Sequence, residues 1–159
     1  MGLSLRKLRR LGLCAVLGTL GACADPGEGV HVADREFPEF QRIYPILLRD
    51  CGFSTCHGSE DRFFKVWGPG RARLDSETAA FDPTTGNEAS ASFTIALSML
   101  DDEHPERSLL LRKPLAVEAG GAPHGGVDRF GRDIYRTAND AGYLAIARWV
   151  FEAMEEPEE

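Results

Sequence analysis

Residues 49–59 read RDCGFSTCHGS, from Arg49 to Ser59, and the fold turns on how this stretch is understood. Cys51 and Cys56 frame four residues, and His57 follows the second thiol directly. What two such thiols do depends on the compartment, because cysteines oxidise in exported proteins and stay reduced in the cytosol. The N-terminus therefore has to be read first.

The chain opens MGLSLRKLRR, a basic segment carrying Arg6, Lys7, Arg9 and Arg10. About a dozen mostly apolar residues follow, the length of a secretory h-region and short of the ~20 needed to span a bilayer. Leu20-Gly21-Ala22 precede Cys23, with small residues at the two positions nearest the cut. This resembles the lipobox of bacterial lipoproteins. The resemblance implies a signal peptide over residues 1–22 and a lipidated Cys23 as the mature N-terminus, in place of a plain signal peptide with an incidental cysteine.

Loss of residues 1–22 removes four of the 18 basic residues and none of the 25 acidic ones, so the net charge moves from −7 to −11. A body this acidic is a poor match for nucleic acid or anionic lipid. The expected membrane connection is the acyl anchor alone. Acidity suits a basic partner protein and is equally a solubility device. Cys14 lies in the leader and Cys23 is claimed by the anchor, which leaves Cys51 and Cys56 as one pair in the body.

Residues 23–35, rich in Gly, Pro and charge, read as a flexible tether, with His31 solvated inside it. A single domain is expected over residues 36–155. Phe37, Phe40, Ile43, Tyr44, Leu47 and Leu48 recur at helical steps. Pro45 interrupts them, predicting either a kink or a fresh helix start at Tyr44. Both versions place Cys51 at or just after a helix end, with Gly52 free to turn left-handed there. Residues 58–92 read as loops with a short element around the apolar Phe63, Phe64, Val66 and Trp67. A short helix is expected over 93–100, a helix start at Pro105, and a turn or two ended by Pro114. GGAPHGG, residues 120–126, is a glycine-rich loop around His124. Asn139-Asp140 should cap a last helix carrying Tyr143, Ile146, Ala147, Val150 and Met154 on one stripe. The body is thus mainly α, with more loop than a cofactor-free chain of this size would carry.

Four chemistries compete for the cysteine stretch. A Cys51–Cys56 disulfide closes a small loop, contributes about 2 kcal/mol, and leaves His57 unexplained. Structural zinc needs four ligands; Cys51, Cys56, His57, His104 and His124 reach that count, but not at any common finger spacing. A redox dithiol prefers two intervening residues in a strand–helix context. Covalent c-type haem attachment uses two thiols and a histidine immediately after the second, because that thioether fixes the ring edge over which the next side chain reaches the iron. His57 would be the proximal ligand. The four-residue spacer, Gly52 to Thr55, departs from the common two, and its small residues would let it bulge.

YPILLRDCGFSTCHG, ARLDSE, HPERSLLLRKPL, HGG and YLAIARWVFEAM, in this order, resemble the planctomycete-type cytochrome c domains of exported bacterial proteins, over residues 37–154. The resemblance implies a cytochrome c-like small helical domain with long haem-wrapping loops. It also implies haem c held by Cys51, Cys56 and His57, and points to the HGG loop for the distal ligand. His124 is flanked by glycines that let the backbone approach a porphyrin. Met99 is the main alternative, while His104 and Met154 suit solvent and core respectively. Trp149 and the Phe63–Trp67 cluster are candidates for packing on the ring or in the core.

The chain shows no HExxH, no GxSxG and no paired carboxylates with a clear context, so an electron carrier is expected rather than an enzyme. The expectation is a lipid-anchored monohaem cytochrome in the cell envelope, facing the periplasm or the cell surface. Its rivals are a haem-free binding lipoprotein with a Cys51–Cys56 disulfide, and a haem sensor or enzyme with an open sixth position.

Overall fold

Helix α1 runs from Phe37 to Asp50 and buries Phe40, Ile43, Tyr44 and Leu47, the apolar stripe of its sequence. Pro45 neither kinks the chain into two elements nor starts a new one; a single helix passes through it. Proline removes one amide bond to the residue four back. Gln41 and Pro45 are both exposed, so the carbonyl deprived of its partner has water within reach. At the helix end the amides of Cys51 and Gly52 both donate to the Leu47 carbonyl, at 2.9 and 2.8 Å. Gly52 is absent from the positive-φ glycines. Its role is close approach instead, since a Cβ there would meet the Arg71 guanidinium at 2.6 Å and the Leu48 carbonyl at 2.9 Å.

This computed structural model describes residues 37–125 and 133–152. The leader, Cys23, the tether with His31, Gly126 and Met154 lie outside the described residues. Among those described the architecture is mainly helical, with four α-helices and no strand. Besides α1 they are α2 (Gly86–Leu97), α3 (Leu109–Arg112) and α4 (Ala141–Glu152), with 3₁₀ turns at Pro105–Arg107 and Val117–Ala119.

Helix α2 starts at Gly86, well before the expected 93. Thr85 accepts from the Glu88 amide at 3.2 Å and the Glu88 carboxylate accepts from the Thr85 amide at 2.9 Å, a reciprocal capping box. The expected helix start at Pro105 is only a 3₁₀ turn. At α4, Asp140 begins the ladder through its carbonyl, which accepts from Leu144 at 2.9 Å. Its carboxylate holds the preceding amides of Arg136 and Thr137, at 2.7 and 3.1 Å.

Helix α1 packs on both α2 and α4, and α3 packs on α4. Phe40 sits at the centre of this contact, 5.2 Å from Phe93 and 5.5 Å from Trp149 between ring centroids. Trp149 therefore belongs to the core, one of the two roles its sequence allowed. The long segment from Cys51 to Thr85 contains no helix or strand and is fastened to the helices by polar links. Tyr44 donates to the Trp67 carbonyl at 2.7 Å, and the Trp67 amide donates to Ser92 at 3.3 Å. Arg73 donates to Glu88 at 2.7 and 3.0 Å, an ion pair whose side chains are 8% and 1% exposed. Burial pushes the Glu88 carboxyl up, but the bonds from Arg73, Thr85 and Leu74 outweigh it and hold it below the usual range.

Candidate functional site

Because α1 ends at Asp50, Cys51 is delivered into the interior while the next residues turn outward. Phe53, Ser54 and Thr55 are exposed. The chain then doubles back: the amides of Cys56 and Gly58 both donate to the Phe53 carbonyl, at 2.8 and 2.9 Å. The His57 amide reaches the Cys51 carbonyl at 3.1 Å. Beyond the buried Gly52, the spacer is thus a solvent-facing bulge of Phe53, Ser54 and Thr55, and a hydrogen bond joins Cys51 to His57 across it. Gly58 is required at this closure, since a Cβ on it would run into the Gly52 carbonyl.

His57 is half-buried, and its Nδ1 lies 2.8 Å from the Phe64 carbonyl. A carbonyl only accepts, so Nδ1 carries the hydrogen and the neutral ring has its lone pair at Nε2. Burial lowers the His57 pKa against the raising effect of the Phe64 hydrogen bond, which favours that neutral form. An imidazole whose other nitrogen is committed to a backbone carbonyl is how metal-binding histidines are oriented. The Phe64 ring also packs edge-on against His57, with centroids 4.8 Å apart.

Cys51, Cys56, His57, Phe64, Met99 and His124 line one cleft, together with Asp50, Leu109, Leu110, Lys113, Pro114 and Ile134. Its walls are predominantly apolar and it holds about 210 Å³, widening into solvent at the mouth. Both thiols are free. Burial, with smaller contributions from Asp50 and Cys56, pushes the Cys51 thiol up to about 12, so it remains protonated at neutral pH. Behind Cys51, Tyr135 donates to the Asp50 carboxylate at 2.7 Å, while Arg49 grips the same carboxylate from outside at 2.6 and 2.7 Å.

His124 enters from a strap that leaves the Val117–Ala119 turn through Gly120, whose φ of +94° suits glycine. The strap is held by Gly121 N–H to Ala116 carbonyl at 3.0 Å and Ala122 N–H to Arg112 carbonyl at 2.7 Å. A Cβ on Gly121 would collide with the Leu115 carbonyl. The outcome is that the His57 and His124 rings lie parallel within 8°, centroids 5.8 Å apart.

The residues singled out in the sequence thus sort cleanly. Cys51, Cys56, His57 and His124 come together, and Met99 joins them. His104 is exposed beside Glu106, at 3.8 Å, and takes no part in the cleft. Of the 63–67 cluster only Phe64 lines it; Phe63 is 77% exposed and Val66 is core. Asp50, Lys113 and Ile134 were not anticipated. The first two sit inside the quoted RDC and RKP stretches, where a charge beside a buried wall was the available signal.

Among the described residues no three His, Cys, Asp or Glu side chains form a metal-holding group, as a structural zinc would require. No described helix is long and apolar enough to cross a membrane. Comparison with protein-family models, curated proteins and solved structures finds no match to this chain.

Proposed function

We propose that the protein is a lipid-anchored monohaem c-type cytochrome that carries electrons in the bacterial cell envelope. The observation that carries this reading is the pair of imidazoles, His57 and His124, parallel across an apolar cleft with Cys51 and Cys56 in its wall. Two imidazoles sharing one metal ion between facing nitrogens stand about 6 Å apart, given metal–nitrogen bonds of about 2 Å. The two rings stand 5.8 Å apart between centroids and are stacked, so both imidazoles reach one cleft. Sharing an iron would require them to turn until their in-plane nitrogen lone pairs converge. Haem iron would need only two side chains from the protein, and His57 and His124 are the residues that would hold it.

In this reading Cys51 and Cys56 would take the two vinyl groups, His57 would be the proximal ligand and His124 the distal one. Bound haem supplies one-electron chemistry at iron. The chain's own contributions are ligation, exclusion of water by Leu110, Pro114 and Ile134, and a surface for a redox partner. The Phe64 carbonyl keeps the hydrogen on Nδ1 and so strengthens Nε2 as a donor. Cys23 would carry the acyl chains and the tether would give the domain reach from the membrane. The resemblance to planctomycete-type cytochrome c domains agrees with this assignment.

The four-residue spacer favours one rival, a haem-free binding lipoprotein with a Cys51–Cys56 disulfide. A pyridine haemochrome spectrum of the chain exported with a cytochrome maturation system separates them. An α-band typical of two saturated vinyl groups, surviving acid–acetone extraction, is the expected result. Folded, colourless protein from a host that matures such spacers would reject haem and favour the disulfide.

A further inference from the structure

We infer that Lys113 is the positioning residue that holds His124 against the cleft. Lys113 caps α3, its amide donating to the Leu109 carbonyl at 3.0 Å, and α3 is seated in the core by Leu110 and Leu111. From this rigid base its ammonium spans to the strap and donates to the Pro123 carbonyl at 2.9 Å. Pro123 is the residue immediately before His124. The backbone bonds of Gly121 and Ala122 fasten the strap upstream, and the Lys113 bond fastens it at the residue that aims the imidazole.

A lysine in this wall needs a reason. The cleft is apolar, and the Lys113–Pro123 bond is exposed, so the ammonium stays at the surface while its stem lies along the wall. Lys113 is half-buried and lines the cleft while its charge is turned onto a backbone carbonyl. Its alkyl stem adds apolar wall and its head adds a clamp. Arginine has the reach and the donors to substitute; alanine and methionine have no donor.

The consequence depends on the haem reading. Met99 lines the same cleft, so a strap released from Lys113 leaves the sixth position to methionine or to an exogenous ligand. A hydrogen bond of this kind is worth about a tenfold shift in the fastened-to-released ratio. The test compares the full exported chain with Lys113→Ala, Lys113→Met and Lys113→Arg. Carbon monoxide binding to the reduced protein and the near-infrared ligand band are the readouts, with His124→Ala as the open-site reference.

Wild type and Lys113→Arg should resist carbon monoxide, while the Ala and Met variants bind it in an about tenfold larger fraction or develop a methionine band. Their melting temperatures should stay close to wild type, which a merely structural lysine would not reconcile with altered ligation. Unchanged ligation in Lys113→Ala would overturn the clamp, as would a His124→Ala variant indistinguishable from wild type. A colourless wild type defeats the haem reading separately. The clamp is then read in that same protein from the nuclear Overhauser contact between the His57 and His124 rings, expected to vanish in Lys113→Ala and overturning the inference if it persists.

Discussion

The His57 amide donates to the Cys51 carbonyl at 3.1 Å, tying the candidate ligand to the first thiol across the spacer. The bond makes Cys51, Cys56 and His57 one geometric unit although six positions separate its ends. If that unit holds haem, His57→Ala should abolish stable low-spin pigment and unfold much of the chain. Cys51→Ala or Cys56→Ala should leave a single thioether, visible as a red-shifted haemochrome band. In a disulfide-bonded, haem-free protein His57→Ala would barely move the melting curve, so the same variant decides between the two.

If the cleft holds haem, the identity of the second ligand should be legible from two further variants. His124→Met should raise the reduction potential, because methionine ligation favours the reduced iron relative to bis-histidine. Met99→Ala should leave the spectrum unchanged and lower stability by about 1–2 kcal/mol, since Met99 is only half-buried. Potentiometric titration with urea unfolding checks both. A Met99→Ala variant that binds carbon monoxide while His124→Ala does not would exchange their roles.

Two glycines give opposite expectations. Gly58→Ala forces a Cβ into the Gly52 carbonyl at the closure of the thiol loop, so pigment yield should collapse. Gly125→Ala meets nothing within 4 Å and should be nearly silent in both yield and melting temperature. Export of both variants under identical maturation conditions, scored by haem per protein, makes the comparison.

Glu88 should set an acid limit on stability. Its carboxyl titrates below the ordinary 4.5 in the folded chain, because the bonds it accepts outweigh the opposing effect of burial. The folded state therefore binds fewer protons than the unfolded one near that pH. The stabilisation is fully present above about 4.5 and is lost as pH falls through the lower folded value. Glu88→Ala also deletes the α2 capping box, and the combined loss should be at least about 2 kcal/mol at pH 7. Urea midpoints from pH 7 to pH 3 should show a reduced acid slope in the variant; an unchanged slope would remove Glu88 from the account.

The stripe of α1, the stripe of α4 and the unit of Cys51, Cys56 and His57 were readable because each rests on local spacing, whereas His124, far along the chain, was reached only through its glycine-flanked loop and the family resemblance. The start of α2 was missed although Thr85-Gly86-Asn87-Glu88 carries the S/T-x-x-E signature. The neighbouring Asp82-Pro83 and Gly86 read as a turn and masked it. Pro45 misled in the opposite direction, since only its exposure in the fold shows why the helix tolerates it. Phe63 looked like a covering residue and faces solvent instead, because the polar links of Arg73, Tyr44 and Trp67 fix the loop, and apolar composition cannot reveal those. The RKP stretch signalled a charge beside the wall, but the bond made by Lys113 lay beyond sequence reasoning, because its partner is a backbone carbonyl, which leaves no trace in the alphabet of side chains.

The bulge at Phe53–Thr55 bears on heredity as much as on chemistry. Its residues face water, and lengthening a loop costs only about 0.6 kcal/mol per doubling. Selection acting on the site would see the joined ends and hardly the count between them. A change in spacer length should then cost the fold less than a side chain at Gly58, where a Cβ would meet the Gly52 carbonyl.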